Sequence, residues 1–325
     1  MHEYRKDYLT DEWVIIATSR MQRPHHLKTV VKRTPKSKCP FCPEHESWTP
    51  QEIKRYPEGS KKWRKRVVPN KFPAVVNKGN INYVKENFLE RMTAFGVHEV
   101  IIETPDHTKD LCDLSEDEIA ELFFVYKECF ERVAKDKRIS EVVIFKNQGA
   151  NAGASLSHAH SQIIATNRIS ERFGSKLKAF VKYKQKHKFC PYCKIIEIEE
   201  KSKRAVYSGK NVVAFTPFAS RAAYELWLFP RKHTPNILNL DIETMKEFAA
   251  VLKRVLISLR KINADFNYFI HMPCKGDFHM HMCILPRVIQ RAGYEEATEC
   301  VINVVSPEDA AALYRKNIKD LKCQK

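Results

Sequence analysis

The sequence contains few glycines, only 9 in 325 residues, and it lacks a long apolar segment. A membrane-spanning helix needs about 20 consecutive apolar residues, and no stretch of the chain approaches that length. The first residues, Met1–Asp7, are polar and charged, unlike the apolar core of a secretory signal peptide. We therefore expect a soluble, cytoplasmic protein without a membrane partner.

A concentrated basic tail is also missing, although the chain is strongly basic. Its 56 Lys and Arg residues outnumber 39 Asp and Glu residues, which gives a net charge of +17. Such a surplus is typical of proteins with an anionic partner, such as nucleic acid or a phosphorylated substrate, and also of a lysine-rich solvated surface. A zinc-containing nucleic-acid-binding protein would need basic and aromatic residues on one face. Only Lys61–Arg66, which includes Trp63, offers such a cluster, so we expect no nucleic-acid partner.

The ten cysteines would indicate a disulfide framework in a secreted protein. Without a secretion signal we expect a reducing compartment, in which paired cysteines more often bind a metal ion. Four of the ten form two pairs of the same kind, Cys39-Pro-Phe-Cys42 and Cys190-Pro-Tyr-Cys193. One C-x-x-C pair alone could be a redox pair or two buried thiols, whereas two pairs, each followed by histidines, favour metal binding.

The two C-x-x-C pairs begin two stretches that repeat the same order of features. Each pair is followed by a histidine, a helical pattern, a strand and a second strand that carries H-x-H. The first helical pattern begins at Ser115, where Glu118 completes a capping box, and the second begins at Asp241. The repeated order predicts an internal duplication. Short antiparallel strands with one long helix per half predict an α+β fold, with halves at residues 1–175 and 189–325.

Each half offers the four ligands of a structural zinc site. Zinc in such sites is commonly held by two thiolates and two imidazoles, and a C-x-x-C turn supplies both sulfur atoms. The predicted ligands are Cys39, Cys42, His107 and His158 in the first half, and Cys190, Cys193, His233 and His279 in the second. His98 is an alternative to His107, and His271 or His281 is an alternative to His279. We expect one or two zinc ions per chain, because either site could be degenerate and empty.

The stretch from Asn147 to Gln162, N-Q-G-A-N-A-G-A-S-L-S-H-A-H-S-Q, places two of the few glycines ahead of H-x-H-x-Q. Strand alternation puts His158, His160 and Gln162 on one face. With His158 bound to metal, His160 would stand beside it as a fixed nucleophile toward phosphorus, since imidazole is neutral at any pH above its ordinary pKa of ~6.5. Glycines allow backbone N–H groups to approach phosphate oxygens, and Asn147, Ser155 and Gln162 add side-chain donors.

These motifs, in this order, resemble the galactose-1-phosphate uridylyltransferase family of the histidine-triad (HIT) superfamily, together with its relative ADP-glucose phosphorylase. The resemblance runs nearly from end to end, and it implies two HIT-like halves of which the N-terminal one is catalytic. Besides the first cysteine pair and the glycine stretch, it rests on Tyr8–Ala17, Arg20-Met-Gln-Arg23-Pro, Asn70-Lys-Phe-Pro73, Pro105-Asp-His107 and Ala292-Gly-Tyr-Glu295.

The resemblance implies a role for each matching residue. His160 would be the nucleophile that takes up a nucleoside monophosphate, Gln162 would bond a phosphoryl oxygen, and Ser155 would contact the phosphate of the sugar phosphate. Glutamine cannot act as a general acid, which fits transfer to a phosphate acceptor rather than to water. The residues implied to line the nucleotide site are Arg20, Arg23, Asn70, Phe145, Asn147 and Gly153. Tyr294 and Glu295 would reach the sugar from the partner subunit of a homodimer.

The implied reaction is a two-step nucleotidyl transfer with nucleotide-sugar and sugar-phosphate substrates. UDP-glucose would give UMP to the histidine nucleophile, and galactose 1-phosphate would then collect it as UDP-galactose. The alternative has the same chemistry with phosphate attacking adenylyl-histidine, as in an ADP-glucose or dinucleoside-polyphosphate phosphorylase. The lysine and glutamine that contact galactose in the better-known transferases have no match around Ile289 and Ile302, although Asn303 would substitute if the alignment shifted by one residue. The second H-x-H, His279 and His281, lacks the glycines and has Cys283 in place of glutamine, so we interpret it as a structural remnant.

Overall fold

The chain folds around a ten-stranded antiparallel sheet, described over residues 1–22 and 34–322 in a computed structural model. The strands are β1 His2–Lys6, β2 Trp13–Ala17, β3 Lys54–Tyr56, β4 Lys65–Pro69, β5 Tyr83–Glu86, β6 Leu89–Met92, β7 Gly96–Ile102, β8 Glu141–Gln148, β9 His160–Thr166, β10 Ala205–Ser208, β11 Val212–Phe215, β12 Leu226–Pro230, β13 Phe266–His271, β14 His281–Pro286 and β15 Ile302–Asn303. The helices are α1 Glu116–Ala134, α2 Glu171–His187, α3 Pro191–Glu199, α4 Ile242–Lys261, α5 Gly293–Thr298 and α6 Pro307–Lys322. Two small sheets, β1-β2-β15 and β5-β6, complete the fold.

The two halves of the large sheet have the same topology. The sheet runs in the order β10-β11-β12-β14-β13-β8-β9-β7-β4-β3. Counted from its outer edge to the centre of the sheet, the first half has the strand order β3-β4-β7-β9-β8. Counted in the same way, the second half has the matching order β10-β11-β12-β14-β13. The halves join where β8 pairs with β13, with Phe145 opposite Phe269. The α+β fold with duplicated halves that the repeated motifs predict is therefore confirmed.

One long helix from each half packs on the same face of this sheet. Helix α1 begins after Ser115, whose side chain accepts from the backbone N–H of Glu118 in the predicted capping box. Helix α4 begins after Asp241, whose side chain accepts from a backbone N–H of the first turn at 2.7 Å. The two helices share one apolar core, in which the rings of Phe123 and Phe248 lie 5.5 Å apart. The opposite face of the sheet carries His160 and the residues around it.

The strands that carry H-x-H begin two residues later than the pattern predicts. Strand β9 starts at His160 and β14 starts at His281, whereas the pattern extended them back to His158 and His279. Each of the earlier histidines lies just outside its strand, and its Nε2 atom bonds a backbone carbonyl of another segment.

The lysine-rich segment between the predicted halves is helix α2. Its buried residues Phe173, Lys176 and Phe180 lie at helical spacing, and the two phenylalanines pack against the second half. Most of its other lysines are exposed, so part of the surplus charge is a solvated helix face. No helix in the two described ranges is long and apolar enough to cross a membrane.

The basic run Lys61–Arg66 is partly buried, with Lys61, Lys62 and Arg64 exposed. Trp63 is buried, and its indole N–H donates to Glu46. Lys65 and Arg66 are also buried, and each pairs with a carboxylate. The aromatic residue and two of the five basic side chains of this run therefore point inward, so the run does not present its tryptophan and its positive charges on one face.

The stability of the α1–α4 core can be tested with two neighbouring phenylalanines. Phe123 is 2% exposed and Phe124 is 50% exposed on the same helix. Phe123→Ala removes a buried ring and should lower the free energy of unfolding by about 3–5 kcal/mol. The matched control Phe124→Ala should change it by less than about 1 kcal/mol, measured by urea unfolding. Equal losses in the two variants would contradict this description of the core.

Candidate active site

Two cysteines and two histidines meet in a buried group, here called the first tetrad: Cys39, Cys42, His107 and His158. Their ligand atoms lie within 4.8 Å of one another. Nδ1 of His107 is 3.3 Å from Sγ of Cys42, and Nδ1 of His158 is 3.5 Å from Sγ of Cys39. Burial and the neighbouring Cys39 raise the pKa of the Cys42 thiol to about 12. A cation at the centre would supply the positive charge that two thiolates need, and this donor set suits a metal ion that prefers sulfur and nitrogen.

The histidines of the first tetrad are held so that Nδ1 faces the thiols. Nε2 of His107 bonds the carbonyl oxygen of Thr34 at 2.7 Å, and Nε2 of His158 bonds that of Thr104 at 2.7 Å. A carbonyl oxygen can only accept, so each Nε2 carries the proton and each Nδ1 keeps a lone pair for a ligand. Such outer bonds are what orient metal-binding histidines in proteins.

The second half contains a matching group, the second tetrad, formed by Cys190, Cys193, His233 and His279. Sγ of Cys193 lies 3.5 Å from Nδ1 of each histidine. Nε2 of His279 bonds the carbonyl oxygen of Pro230 at 2.8 Å, and Nε2 of His233 bonds Asp277 at 2.6 Å. Both tetrads therefore consist of the ligands predicted first. The alternatives from the sequence, His98, His271 and His281, belong to neither tetrad.

His281 occupies the place in the second half that His160 occupies in the first, but other side chains enclose it. Its Nδ1 lies 3.0 Å from the carbonyl oxygen of His279, and its ring stacks on Phe229 with centroids 4.6 Å apart. Its potential ligand atom groups with those of His271 and Cys283. Burial lowers the pKa of His281, and the charge of Lys176 on α2 lowers it further, because a nearby cation disfavours protonation of the ring. The enclosure agrees with the interpretation of this H-x-H as a structural remnant.

His160 is buried next to the first tetrad, and one hydrogen bond determines which of its ring nitrogens carries the proton. Its Nδ1 lies 2.8 Å from the carbonyl oxygen of His158, so Nδ1 carries the proton and Nε2 keeps the lone pair. Burial, followed by the charge of Lys146, lowers the pKa of His160 to about 4, which keeps the ring neutral near pH 7. Phe41, inside the first C-x-x-C, meets the ring edge-on with centroids 5.2 Å apart. A fixed, neutral imidazole is suited to nucleophilic attack on phosphorus.

A buried ion pair lies under the backbone of His160. Nζ of Lys146 donates to Oε2 of Glu103 at 2.8 Å and to the carbonyl oxygen of His160 at 2.9 Å. The two charged side chains are 1% and 0% exposed. Sequence reasoning missed this pair, although strand alternation with Val142 and Ile144 already places Lys146 on the buried face of β8. The pair fixes the main chain from which the candidate nucleophile projects.

The glycine stretch is shaped by residues of the second half. Gly149 and Gly153 have φ of +85° and +81°, and an ideal Cβ at Gly149 would lie 1.8 Å from the carboxylate of Asp265. That carboxylate accepts from a backbone N–H of the stretch at 2.9 Å. Nδ2 of Asn267 donates to Oδ1 of Asn147 at 2.8 Å, so Asn147 offers its NH2 group to a ligand. Sequence reasoning missed Asp265 and Asn267, because nothing in their spacing links them to the glycines.

A cavity of about 720 Å³ opens beside the glycine stretch. Three residues implied to bind the nucleotide line it, namely Phe145, Asn147 and Gly153. Arg287 and Arg291 line it from the second half, and their positive charges suit phosphate groups. Sequence reasoning missed these two arginines. A larger cavity of about 890 Å³ lies between α2 and the segment Tyr8–Trp13, and it holds none of the predicted site residues.

The other predicted residues of the first half are Asn70, Gln162, Ser155, Arg20 and Arg23. Asn70 donates to Oε1 of Gln162 at 3.3 Å, so the structure brings these two together. Ser155 is exposed in the loop before β9. Arg20 is half-buried in a 3-10 turn after β2, and Arg23 lies outside the described residues.

The two predicted tail residues lie on helix α5. Tyr294 is exposed. Glu295 is buried, and its carboxylate accepts from the backbone N–H of Ala292 at 2.8 Å, which caps the helix. Within one chain neither residue lines the cavity, although their neighbours Arg291 and Glu296 do. The action of Tyr294 and Glu295 at the site of a partner subunit stays a prediction.

The fold and this site together define the class of the protein. A buried neutral histidine beside a Cys2His2 group, on a duplicated α+β fold, fits the class of the nucleotidyltransferases. The chain belongs to the galactose-1-phosphate uridylyltransferase family, because the family model described as Galactose-1-phosphate uridyl transferase, N-terminal domain, matches residues 1–170, just over half of the chain. The family resemblance and the enzyme class inferred from the sequence motifs are therefore confirmed.

Known relatives carry two different names. The chain is 33% identical to ADP-glucose phosphorylase of Arabidopsis thaliana over 97% of this chain and 92% of the relative. It is 29% identical to galactose-1-phosphate uridylyltransferase of Thermotoga maritima over 97% of this chain and 98% of the relative. A crystal structure of the Arabidopsis ADP-glucose phosphorylase with bound ADP-glucose superposes with a TM-score of 0.84 at 29% identity, covering 97% of this chain and 99% of that one. A uridylyltransferase structure superposes with a TM-score of 0.76 at 26% identity over the full length of both chains.

The buried pair under His160 gives a stability prediction. Lys146→Met leaves the carboxylate of Glu103 buried without a cation, which should lower the free energy of unfolding by about 3–5 kcal/mol. The double variant Lys146→Met with Glu103→Gln removes that charge and should recover part of the loss. The control Lys178→Met, at an exposed lysine of α2, should change stability by less than about 0.5 kcal/mol. Urea unfolding measures all three, and a double variant less stable than Lys146→Met alone would contradict the assignment.

Proposed function

We propose that the chain transfers a nucleoside monophosphate from a nucleoside diphosphate hexose, through His160, to a phosphate-bearing acceptor. The observation that carries the proposal is the bond from Nδ1 of His160 to the carbonyl oxygen of His158 at 2.8 Å. This bond leaves the lone pair of the ring on Nε2. Burial favours the neutral form of the ring. Imidazole of this kind can both attack phosphorus and depart from it.

The reaction has two displacements at the same phosphorus atom. In the first, Nε2 of His160 attacks the α-phosphorus, the bond from that phosphorus to the bridging oxygen breaks, and hexose 1-phosphate leaves. The proton stays on Nδ1, where the carbonyl oxygen of His158 stabilises the positive charge that the ring acquires. In the second, a phosphate oxygen of the acceptor attacks, the N–P bond breaks, and the neutral ring is restored. Both steps depend mainly on positioning and on stabilisation of phosphoryl charge.

Several donors around the cavity are suited to stabilise that charge. The NH2 groups of Gln162 and Asn147, and backbone N–H groups of the glycine stretch, are the donors we assign to the α-phosphate. Ser155 is exposed in the same loop and is assigned to the phosphate of the acceptor. The remaining residues assigned to substrate are Arg20, Arg23, Asn70, Phe145, Gly153, Tyr294 and Glu295. The last two would act from the partner subunit of a homodimer, which we therefore propose as the working form.

The first candidate reaction is uridylyl transfer from UDP-glucose to galactose 1-phosphate. The family model and the Thermotoga maritima relative carry the name of this activity. In this reaction glucose 1-phosphate is released before galactose 1-phosphate binds. The acceptor is then a sugar phosphate of the same charge as the product that left, so one phosphate site serves both steps.

The second candidate is phosphorolysis of ADP-glucose, and one structural observation favours it. Ile289 packs against an apolar cluster beside Val304, and Ile302 belongs to β15, which pairs with β2. Apolar packing residues therefore stand in the region where the family resemblance implies galactose contacts. The relative with 33% identity is named ADP-glucose phosphorylase. In this reaction inorganic phosphate takes the place of the sugar phosphate as acceptor.

We propose that each tetrad holds one zinc ion. Zinc bound tetrahedrally at about 2.3 Å from sulfur and about 2.05 Å from nitrogen would separate the two ligand atoms by about 3.6 Å. The Cys39–His158 and Cys193–His279 contacts, each 3.5 Å, fit that separation. The two ions would hold His158 and His279 in place, and we assign no chemical step to them. Zinc thiolates of this kind persist in a reducing compartment, which supports a cytoplasmic location.

Metal content tests the two tetrads separately. The purified chain should contain two zinc ions, Cys39→Ser should contain one, and Cys190→Ser should contain one, as measured by atomic emission. Each single variant should also unfold at lower denaturant concentration, because metal binding is coupled to folding. Cys112→Ser is the control, since Cys112 is buried and outside both tetrads, and it should keep both ions. Retention of both ions in Cys39→Ser would show that the first tetrad is not the binding site.

Intact-protein mass tests the transfer and identifies the nucleotide. Mixing the chain with UDP-glucose or, separately, with ADP-glucose under an acid-free quench should add one nucleoside monophosphate to the wild-type chain. Uptake of UMP alone, discharged by galactose 1-phosphate, supports the first candidate, and uptake of AMP, discharged by phosphate, supports the second. His160→Gly should show no adduct with either donor, whereas the control His187→Gly, at an exposed histidine of α2, should react normally. An adduct that persists in His160→Gly would refute the assigned nucleophile.

A further inference from the structure

His98, on β7, contacts the side chain of Gln162, and neither tetrad uses it. Nε2 of His98 lies 2.8 Å from Oε1 of Gln162. On the other side of the ring, the backbone N–H of Ala74 donates to Nδ1 of His98 at 3.1 Å. The ring therefore joins a turn of the main chain to a residue that stands two positions after the candidate nucleophile.

The contact with Ala74 determines where the proton of His98 lies. A backbone N–H can only donate, so Nδ1 of His98 must accept and must be unprotonated. A neutral imidazole carries its one proton on the other nitrogen, so Nε2 of His98 is a donor. The atom of Gln162 that faces this donor must then be the amide oxygen, because the amide NH2 group would place two donors against each other.

A second donor converges on the same oxygen. The backbone N–H of Phe72 donates to Oδ1 of Asn70 at 2.9 Å, which turns the NH2 group of Asn70 toward Gln162. Nδ2 of Asn70 lies 3.3 Å from Oε1 of Gln162 and 3.0 Å from Nε2 of His98. The 3.0 Å distance between Nδ2 of Asn70 and Nε2 of His98 is not a hydrogen bond, because both atoms are donors. Both donate to Oε1 of Gln162. The carbonyl end of the Gln162 amide is therefore held from two sides.

This fixed oxygen sets the direction of the opposite end of the amide. His98 on β7 and Asn70 after β4 hold the oxygen on one side of β9, and β8 flanks β9 on the other side. Phe145, which is paired with Gln162 across β8 and β9, lines the cavity. The NH2 group of Gln162 is thus directed away from β7, toward the side on which Phe145 and the cavity lie.

We propose that His98 is a positioning residue that fixes the amide orientation of Gln162, so that its NH2 group and not its oxygen meets the phosphoryl group. The inference rests on the proposed function, in which Gln162 donates to a phosphoryl oxygen. An amide in the reverse orientation would direct its carbonyl oxygen at an anionic phosphate, where two acceptors repel each other. The sequence considered His98 only as an alternative metal ligand, and the structure assigns it this different task.

The test is a double-substitution cycle on the charging step. Wild type, His98→Leu, Gln162→Ala and the double variant are mixed with excess nucleotide sugar, and the rate constant of adduct formation on His160 is measured in a single turnover. His98→Leu alone should slow charging by roughly tenfold or more, while the apparent dissociation constant of the nucleotide sugar changes by less than about threefold. In the Gln162→Ala background the same change should have no further effect, because His98 acts only through Gln162.

Two conservative variants separate orientation from packing. Glutamine at this position places an NH2 group near the former Nε2 atom, so His98→Gln should restore charging to within about threefold of wild type. Asparagine is of similar polarity but is too short to reach Gln162, so His98→Asn should be as slow as His98→Leu. His187→Gln, at the exposed histidine of α2, is the control for loss of a histidine and should react like wild type. Equal slowing by His98→Leu in both backgrounds, or no slowing at all, would overturn the proposal.

A measurement that needs no turnover keeps this inference separate from the proposed function. Nitrogen-15 spectra of histidine-labelled wild type, with the His98 signals assigned by comparison with His98→Gln, report the tautomer directly. The Nε2–H tautomer is expected near pH 7, and an Nδ1–H tautomer or a doubly protonated ring would overturn the inference. If wild type forms no adduct with either nucleotide sugar, the proposed function fails, and the tautomer still decides whether His98 holds the oxygen of Gln162.

Discussion

The hydrogen bond from Nδ1 of His160 to the carbonyl oxygen of His158 is the interaction on which the proposed chemistry depends. It fixes the tautomer and the direction of the ring in one contact of 2.8 Å. The contact holds only if the backbone of His158 is itself fixed, and the first tetrad and the bond from His158 to Thr104 provide that. Lys146 donates to the carbonyl oxygen of His160, two residues further along the chain, from beneath the strand. The first tetrad, the ion pair and the proposed nucleophile are therefore held together as one rigid unit.

The second half contains a matching tetrad and a matching histidine, His281, but other side chains enclose that histidine. His281 makes the same bond to His279 at 3.0 Å, and the second tetrad matches the first. The difference lies in what covers the sheet face. Phe173 and Phe180 of α2 pack on this face, and no described glycine stretch precedes His279. The two halves are matching scaffolds. Helix α2 covers the scaffold of the second half, and the cavity beside the glycine stretch is lined by residues from both halves.

Much of this was predictable because it depends on local patterns. The paired C-x-x-C and H-x-H motifs gave the tetrads, and the caps at Ser115 and Asp241 gave the starts of the two long helices. Helix α2 is not among the elements predicted from the sequence, where its region is described only as lysine-rich. The helical spacing of Phe173, Leu177 and Phe180 was a signal that could have predicted it. The contacts of His98 and Asp265 were beyond local reasoning, because each depends on segments brought together only by the sheet. A charged residue such as Lys146 inside a strand is also normally exposed, and only its partner Glu103 makes burial possible.

The most direct test of this account is the position of the bond to phosphorus in the isolated adduct. The adduct would be prepared with nitrogen-15 histidine, and phosphorus and nitrogen spectra, together with fragmentation of the labelled peptide, would identify the linked atom. The account predicts a single N–P bond at Nε2 of His160, with the proton still on Nδ1. A bond at Nδ1 of His160, or at any other residue, would contradict it, because the bond to His158 would then not be what prepares the nucleophile.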